Sequence, residues 1–226
     1  MKKAACIISL LCVVTANYAQ KRSTPDTRLA GLDAELQKVL EVWKTPGFAV
    51  AVVEKNKVVY AKGFGYRDYE KKIPVTPNTL FAIGSCSKAF TSAILGQLRQ
   101  EGKLSLDDSP RKYIPELRFY NDAMNASITL KDLMSHRTGL PRHDFSWYLF
   151  PSNSKDSLIG RVAYQQPFAS VRERWYYNNF MFLAQGVVAE RISGKSWEQN
   201  VRDRILKPLG MSRSNLSIDE LTRTED

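Results

Sequence analysis

Ser85 and Lys88 stand three positions apart, where the extended stretch Phe81-Ala82-Ile83-Gly84 gives way to a long apolar segment. A serine hydroxyl is a poor nucleophile at neutral pH and needs a base beside it; a lysine can serve where its surroundings disfavour the ammonium form. On a helix, residues i and i+3 share a face, so a single turn brings hydroxyl and amine within reach. A serine in the first turn also offers its own backbone N–H to a developing oxyanion. One short pattern can therefore hold a nucleophile, a base and half of an oxyanion hole. Ser-x-x-Lys occurs three times, also at Ser109/Lys112 and Ser152/Lys155. Ser109 is followed by Pro110 and Pro115, and Ser152 lies in the polar run Pro151-Ser152-Asn153-Ser154. Of the three serines, Ser85 alone opens a helix long enough to be buried.

The other reactive side chains offer less. His136 and His143 have no metal-ligand spacing and no supporting cysteines, so no metal is expected. A Ser-His triad through either lacks a specified acid partner. Cys86, one position past Ser85, reads as a small buried helix residue rather than a nucleophile. The aromatic run Phe145, Trp147, Tyr148 and Phe150 either lines the mouth of a cleft or anchors a loop. No cofactor is expected.

The elements that must position Ser85 and Lys88 follow from periodicity. Leu29, Leu32, Leu36, Val39, Leu40 and Trp43 form one helical stripe, closed by Pro46-Gly47. Phe48 to Val53 and Val58 to Ala61 read as the strands of a hairpin turning at Lys55-Asn56-Lys57. Phe48 to Val53 is apolar on both faces and calls for packing on each. Gly63 and Gly65, then Pro74 and Pro77, mark turns. The segment from Ser85 to Glu101, with Ala89, Phe90, Ala93, Ile94, Leu95 and Leu98, reads as a central helix buried on more than one face and stopped by Gly102. Helix starts fall at Ser109-Pro110 and Thr129, and Met181 to Ile192 forms another apolar helix ended by Gly194. The chain thus divides into an α/β beginning, 27–80, and a mainly helical region, 81–226.

The chain has 226 residues, 43% of them hydrophobic, with a formal net charge of +10. That charge is spread along the chain without a block of like residues or a nucleic-acid motif, so no nucleic-acid partner is expected. Met1-Lys2-Lys3, the apolar run Ala4 to Ala16 and the small residues after it match a signal peptide over 1–19. The run is too short to span a bilayer. Secreted or periplasmic localisation follows, with no transmembrane segment in the mature chain. Cys6 and Cys12 fall in the signal, which leaves Cys86 as the mature chain's lone cysteine.

Phe81-Ala82-Ile83-Gly84-Ser85-Cys86-Ser87-Lys88-Ala89-Phe90-Thr91 resembles the first motif of the serine β-lactamase and penicillin-binding-protein superfamily, in its class C-like branch. Three more segments are similar to that branch in the same order: Leu133-Met134-Ser135-His136-Arg137-Thr138-Gly139-Leu140-Pro141-Arg142-His143-Asp144, then Tyr177-Asn178-Asn179, then Lys207-Pro208-Leu209-Gly210-Met211. Tyr-x-Asn, the superfamily's second motif, has two registers here, Tyr176/Asn178 and Tyr177/Asn179. The second matches the branch in its distance to Gly186. The resemblance implies that Ser85, Lys88 and Tyr177 are catalytic, with Tyr177 shuttling a proton between Ser85 and the leaving group. It also implies that Asn179 hydrogen-bonds Lys88 and the substrate amide. The implied fold is α/β with an all-helical subdomain, β-lactamase/transpeptidase-like.

A third motif, Lys-Thr-Gly or His-x-Gly on a strand after Tyr177, is absent from the 226 residues. Arg137-Thr138-Gly139 imitates it but comes too early. The resemblance implies that this strand donates the second oxyanion N–H and that C-terminal strands complete the sheet. The expectation is therefore the N-terminal part of a longer enzyme, lacking those strands and weakly active or inactive alone. The expected activity is acyl-enzyme formation on a β-lactam, a D-alanyl cell-wall peptide or a small ester. The alternatives are a catalytically silent envelope protein that binds peptidoglycan or a partner, and an unrelated Ser-Lys dyad peptidase in which Tyr177 has no role.

Overall fold

The computed structural model describes residues 27–224, so the expected signal segment lies outside the described residues. These divide into two compact units, one up to Thr79 and one from Leu80 onward.

The first unit is a helix on a small sheet. α1 (Leu32–Trp43) half-buries Leu32, Leu36 and Leu40, spaced every fourth residue, and packs on β2. Val39 and Trp43, expected on the same stripe, are exposed. Lys44 ends the helix in the left-handed region, and Pro46 follows. β1 (Gly47–Glu54), β2 (Lys57–Asp68) and β3 (Ile73–Pro74) form an antiparallel sheet in that order. The β1–β2 turn is made by Lys55 and Asn56, both at positive φ, the geometry that matches strand twist in a two-residue hairpin.

Two expectations change here. Gly63 and Gly65 lie inside β2, which runs well past the expected Ala61. Gly65 sits at φ +70, where a Cβ would lie 2.2 Å from the Pro46 carbonyl oxygen; close backbone approach, not a turn, demands the glycine. β1 also packs one face only: Phe48, Val50 and Val52 are half-buried, with Phe48 stacked on Phe64, while Ala49, Ala51 and Val53 are exposed.

The second unit is helical. Its elements are α2 (Ser87–Gln100), α3 (Asp122–Ser127), α4 (Leu130–Met134), α5 (Phe145–Tyr148), α6 (Lys155–Gly160), α7 (Asn179–Ser193), α8 (Trp197–Val201) and α9 (Ile218–Thr222). A π-helical turn, Arg202–Leu206, continues α8. α7 is apolar nearly all round and packs against α2, α4, α6 and α8, which is why it is the centre of the core. Phe180, Met181, Ala184 and Val188 are fully buried on it, against a core that includes Ile94, Leu95 and Leu98 of α2. Gly194, in the left-handed region, stops it. α4 opens on a capping box: Thr129 and Asp132 satisfy each other's backbone N–H groups. α2 differs from expectation: Ile94, Leu95 and Leu98 form one buried stripe, while Cys86, Ala89 and Ala93 are exposed.

Candidate active site

Ser85 sits in a 3-10 turn, Gly84–Cys86, that runs directly into α2. The expected helix start is thus a tighter turn, closed by the Cys86 N–H on the Ile83 carbonyl at 3.1 Å. Lys88 follows in the first turn of α2. Its Nζ donates to Ser85 Oγ at 3.1 Å and to Asn179 Oδ1 at 2.8 Å. The Tyr177 hydroxyl lies 2.5 Å from Ser85 Oγ. All four expected site residues are therefore brought together, although Tyr177 is 92 positions from Ser85 in the chain. Lys88 Nζ also lies over the Tyr177 ring, 4.7 Å from its centroid. A cation in this place stabilises charge on both the hydroxyl and the phenol.

The other Ser-x-x-Lys pairs are absorbed by structure. Ser109 caps a 3-10 turn while Lys112 pairs with Asp108, and Lys155 pairs with Glu190 at 2.6 Å. No histidine hydrogen-bonds Ser85: its hydroxyl meets Lys88 and Tyr177. Cys86, expected to be buried, is exposed because α2 turns only one stripe to the core.

Tyr177 and Asn179 are placed by the residue between them. Asn178 is fully buried and caps α7, its Oδ1 accepting the Phe180 N–H at 2.8 Å. Its Nδ2 donates to the Pro141 carbonyl at 2.6 Å and to Gln165 Oε1 at 3.0 Å, and its own N–H donates to His136 Nδ1 at 3.3 Å. Both hands of the amide are thus engaged. Tyr176 takes no part in the cluster: its ring meets Phe168 edge-on at 4.9 Å, which favours the Tyr177/Asn179 register.

The loop between α4 and α5 supplies the surroundings. The carbonyls of His136, Arg137 and Gly139 accept the N–H groups of Tyr176, Arg172 and Phe168, so the loop runs alongside the approach to α7. Arg172 binds both oxygens of buried Asp132, at 2.8 and 2.7 Å. Burial works against the Asp132 charge, but Arg172 and the Thr129 bonds outweigh it and hold the carboxyl below its usual range. Within the imitation motif Arg137-Thr138-Gly139, Thr138 is buried, and a Cβ on Gly139 would lie 2.3 Å from the Ala169 carbonyl oxygen. That triplet serves loop packing.

Arg142 stands over the Tyr177 ring, 4.9 Å from the centroid, with its Nε on Asp144 at 2.6 Å. Asp144 in turn accepts from Asn179 Nδ2 at 3.4 Å. Burial would raise the Tyr177 phenol, but its polar contacts with Lys88 and Ser85 and the charges of Lys88 and Arg142 prevail and lower it. The aromatic run divides: Trp147 packs on Phe180 at 4.3 Å and anchors the loop, while Phe145, Tyr148 and Phe150 are exposed. Asn178, Arg142 and Asp144 escaped the sequence reading. Asn178 alone carried a local signal, an asparagine just before an apolar helix, the usual cap position.

With this geometry in place, the comparisons with known proteins decide the family. The sequence profile described as Beta-lactamase matches residues 32–225. The chain belongs to the beta-lactamase family. It is 29% identical over 190 residues to Protein flp of Staphylococcus aureus strain MW2, covering 81% of this chain and 37% of that one. Over 204 residues it is 32% identical to the unguisins hydrolase ungD' of Aspergillus campestris, covering 82% of this chain and 36% of the relative. Among solved structures it is similar to the octameric penicillin-binding protein homologue from Pyrococcus abyssi, with a TM-score of 0.76 and 28% identity, over 88% of this chain and 46% of that one. The chain thus spans less than half the length of each of these proteins. Its fold is the β-lactamase/transpeptidase-like one, helix-rich with a small three-stranded sheet, and the family is of serine-hydrolase type. Among the described residues, no helix is long and apolar enough to cross a membrane.

Proposed function

We propose that this protein is a secreted or periplasmic serine hydrolase that forms an acyl-enzyme on Ser85, with a β-lactam, a D-alanyl peptide or a small ester as substrate. The observation that carries the reading is the meeting of Lys88 Nζ and the Tyr177 hydroxyl on Ser85 Oγ, at 3.1 and 2.5 Å. Export rests on the signal pattern over 1–19.

In this mechanism Tyr177, its ionisation favoured by Lys88 and Arg142, takes the proton of Ser85 as Oγ attacks the substrate carbonyl. The oxyanion forms beside the Ser85 backbone N–H. Tyr177 then passes the proton to the leaving group as its bond to the carbonyl carbon breaks. Water, deprotonated by the same group, releases the acid and restores the Ser85 hydroxyl. Lys88 keeps the phenol and hydroxyl aligned, and Asn179 holds Lys88 and faces the substrate amide.

Intact mass after incubation with benzylpenicillin, beside Ser85→Ala, tests the reading. The expected result is one covalent adduct on the wild type and none on the variant. Tyr177→Phe should slow the adduct about a hundredfold or more. An unchanged rate in Tyr177→Phe would point to a Ser-Lys dyad instead. No adduct on a folded, full-length wild type would count against the acyl-enzyme.

A further inference from the structure

The catalytic reading leaves one buried titratable group beside the site unused. His136 is 9% exposed and adopts φ 56, in the left-handed region. That backbone geometry is uncommon for a residue with a side chain and is retained only where the surroundings over-determine it. Here it turns the imidazole into the second motif. The ring lies 4.6 Å from the Tyr177 ring, 5.2 Å from Phe182 and 6.0 Å from Trp175. Its Nδ1 accepts the Asn178 N–H, and its own carbonyl accepts the Tyr176 N–H at 3.0 Å. His136 thus grips the chain on both sides of Tyr177.

We propose that His136 is a positioning residue that holds Tyr177 against Ser85, and that it does so only in the neutral tautomer with an unprotonated Nδ1. This rests on the acyl-enzyme reading of Ser85. A protonated Nδ1 is a donor facing the Asn178 N–H, which is also a donor, so protonation costs the bond that sets the second motif. The groups facing the imidazole agree with the neutral form. Lys88 approaches from α2 with a positive charge, the segment before α7 presents Tyr177 and the Asn178 amide, and α7 presents uncharged Phe182. Burial first, and then Lys88, hold His136 below the ordinary histidine range. The site is therefore intact at neutral pH and loses its second-motif anchor under acid conditions.

Two substitutions on the full-length protein separate positioning from mere packing. His136→Asn keeps an acceptor near the Nδ1 position and tolerates positive φ, but cannot titrate. His136→Phe keeps a ring and removes the acceptor. Benzylpenicillin acylation of Ser85 is followed across pH in each. The expectation is a loss of about tenfold or more at pH 7 in His136→Phe, of about threefold or less in His136→Asn, and an acid limb present in the wild type that weakens in His136→Asn. Equal losses in both variants, or an unchanged acid limb in His136→Asn, would overturn the inference. Histidine ¹⁵N NMR gives a readout without activity: at pH 7 the His136 proton should reside on Nε2. A proton on Nδ1 refutes the positioning role even if Ser85 is acylated. An Nε2 tautomer whose titration shifts the Tyr177 ring signals, in a protein that penicillin does not acylate, would retain the role and discard the acyl-enzyme.

Discussion

The two units of this chain are built to different degrees of closure. Among the described residues of the first, Phe64 and Val75 are the buried hydrophobics, and the rest of the sheet and α1 are half-buried or exposed. The second has one contiguous core reaching from Ile94 to Leu206, with α7 packed on four helices. Every residue of the proposed site belongs to the second unit. The proposed chemistry needs a nucleophile, a phenol that acts as its base and the lysine that aligns them held within a few tenths of an ångström, and a filled core supplies that rigidity. A small sheet bearing one covered face is marginal by comparison.

Substitutions in the two units should therefore differ in cost. Leu95→Ala, in the buried stripe of α2, is expected to destabilise the second unit by about 2–5 kcal/mol, measured by denaturant unfolding followed through Trp147 and Trp197. A cost below about 1 kcal/mol would mean that α2 is not part of the core that holds Ser85. Asp132→Asn, which weakens the grip on Arg172, should cost about 2 kcal/mol near neutral pH. The Asp132 carboxyl is depressed in the folded state, so its contribution is present above the ordinary carboxylate range and lost as pH falls through the depressed value. The gap between wild type and Asp132→Asn should close in acid; a gap independent of pH would place the effect elsewhere. Val53→Thr, on the open face of β1, should change stability by less than about 0.5 kcal/mol. A larger loss would show that this face is covered, and the contrast between the units would shrink accordingly.

Much of this was legible in the residues. The α7 helix, its Gly194 stop, the Thr129 start and the Lys55-Asn56 hairpin follow from local chemistry, because each depends on positive φ, a side-chain cap or a long apolar run. That Ser85, among three Ser-x-x-Lys serines, leads into the long helix α2 also showed in the neighbouring sequence. The role of Gly65 did not show, since it is set by the Pro46 carbonyl across the sheet. The exposure of Cys86, Ala89 and Ala93 was hidden for a related reason: small apolar residues suit a buried face and a bare one equally. The segment that holds Arg142 and Asp144 was recognised, but their contacts could not be found because the partners, Tyr177 and Asn179, are distant in sequence and meet them only through folding.

Asn178 bears on how the tripeptide Tyr177-Asn178-Asn179 tolerates change. The outer two residues face Ser85 and Lys88, whereas the middle one is fully buried and reaches Pro141, Gln165 and Phe180. Under the proposed function, a saturation scan scored by hydrolysis would rank all three as intolerant, and the ranking would conceal two different failures. Changes at the flanks would leave abundant but inert protein, while changes at the centre would lower the amount of soluble protein as well. Reading abundance beside activity would separate the positions assigned to the proposed chemistry from the one that builds.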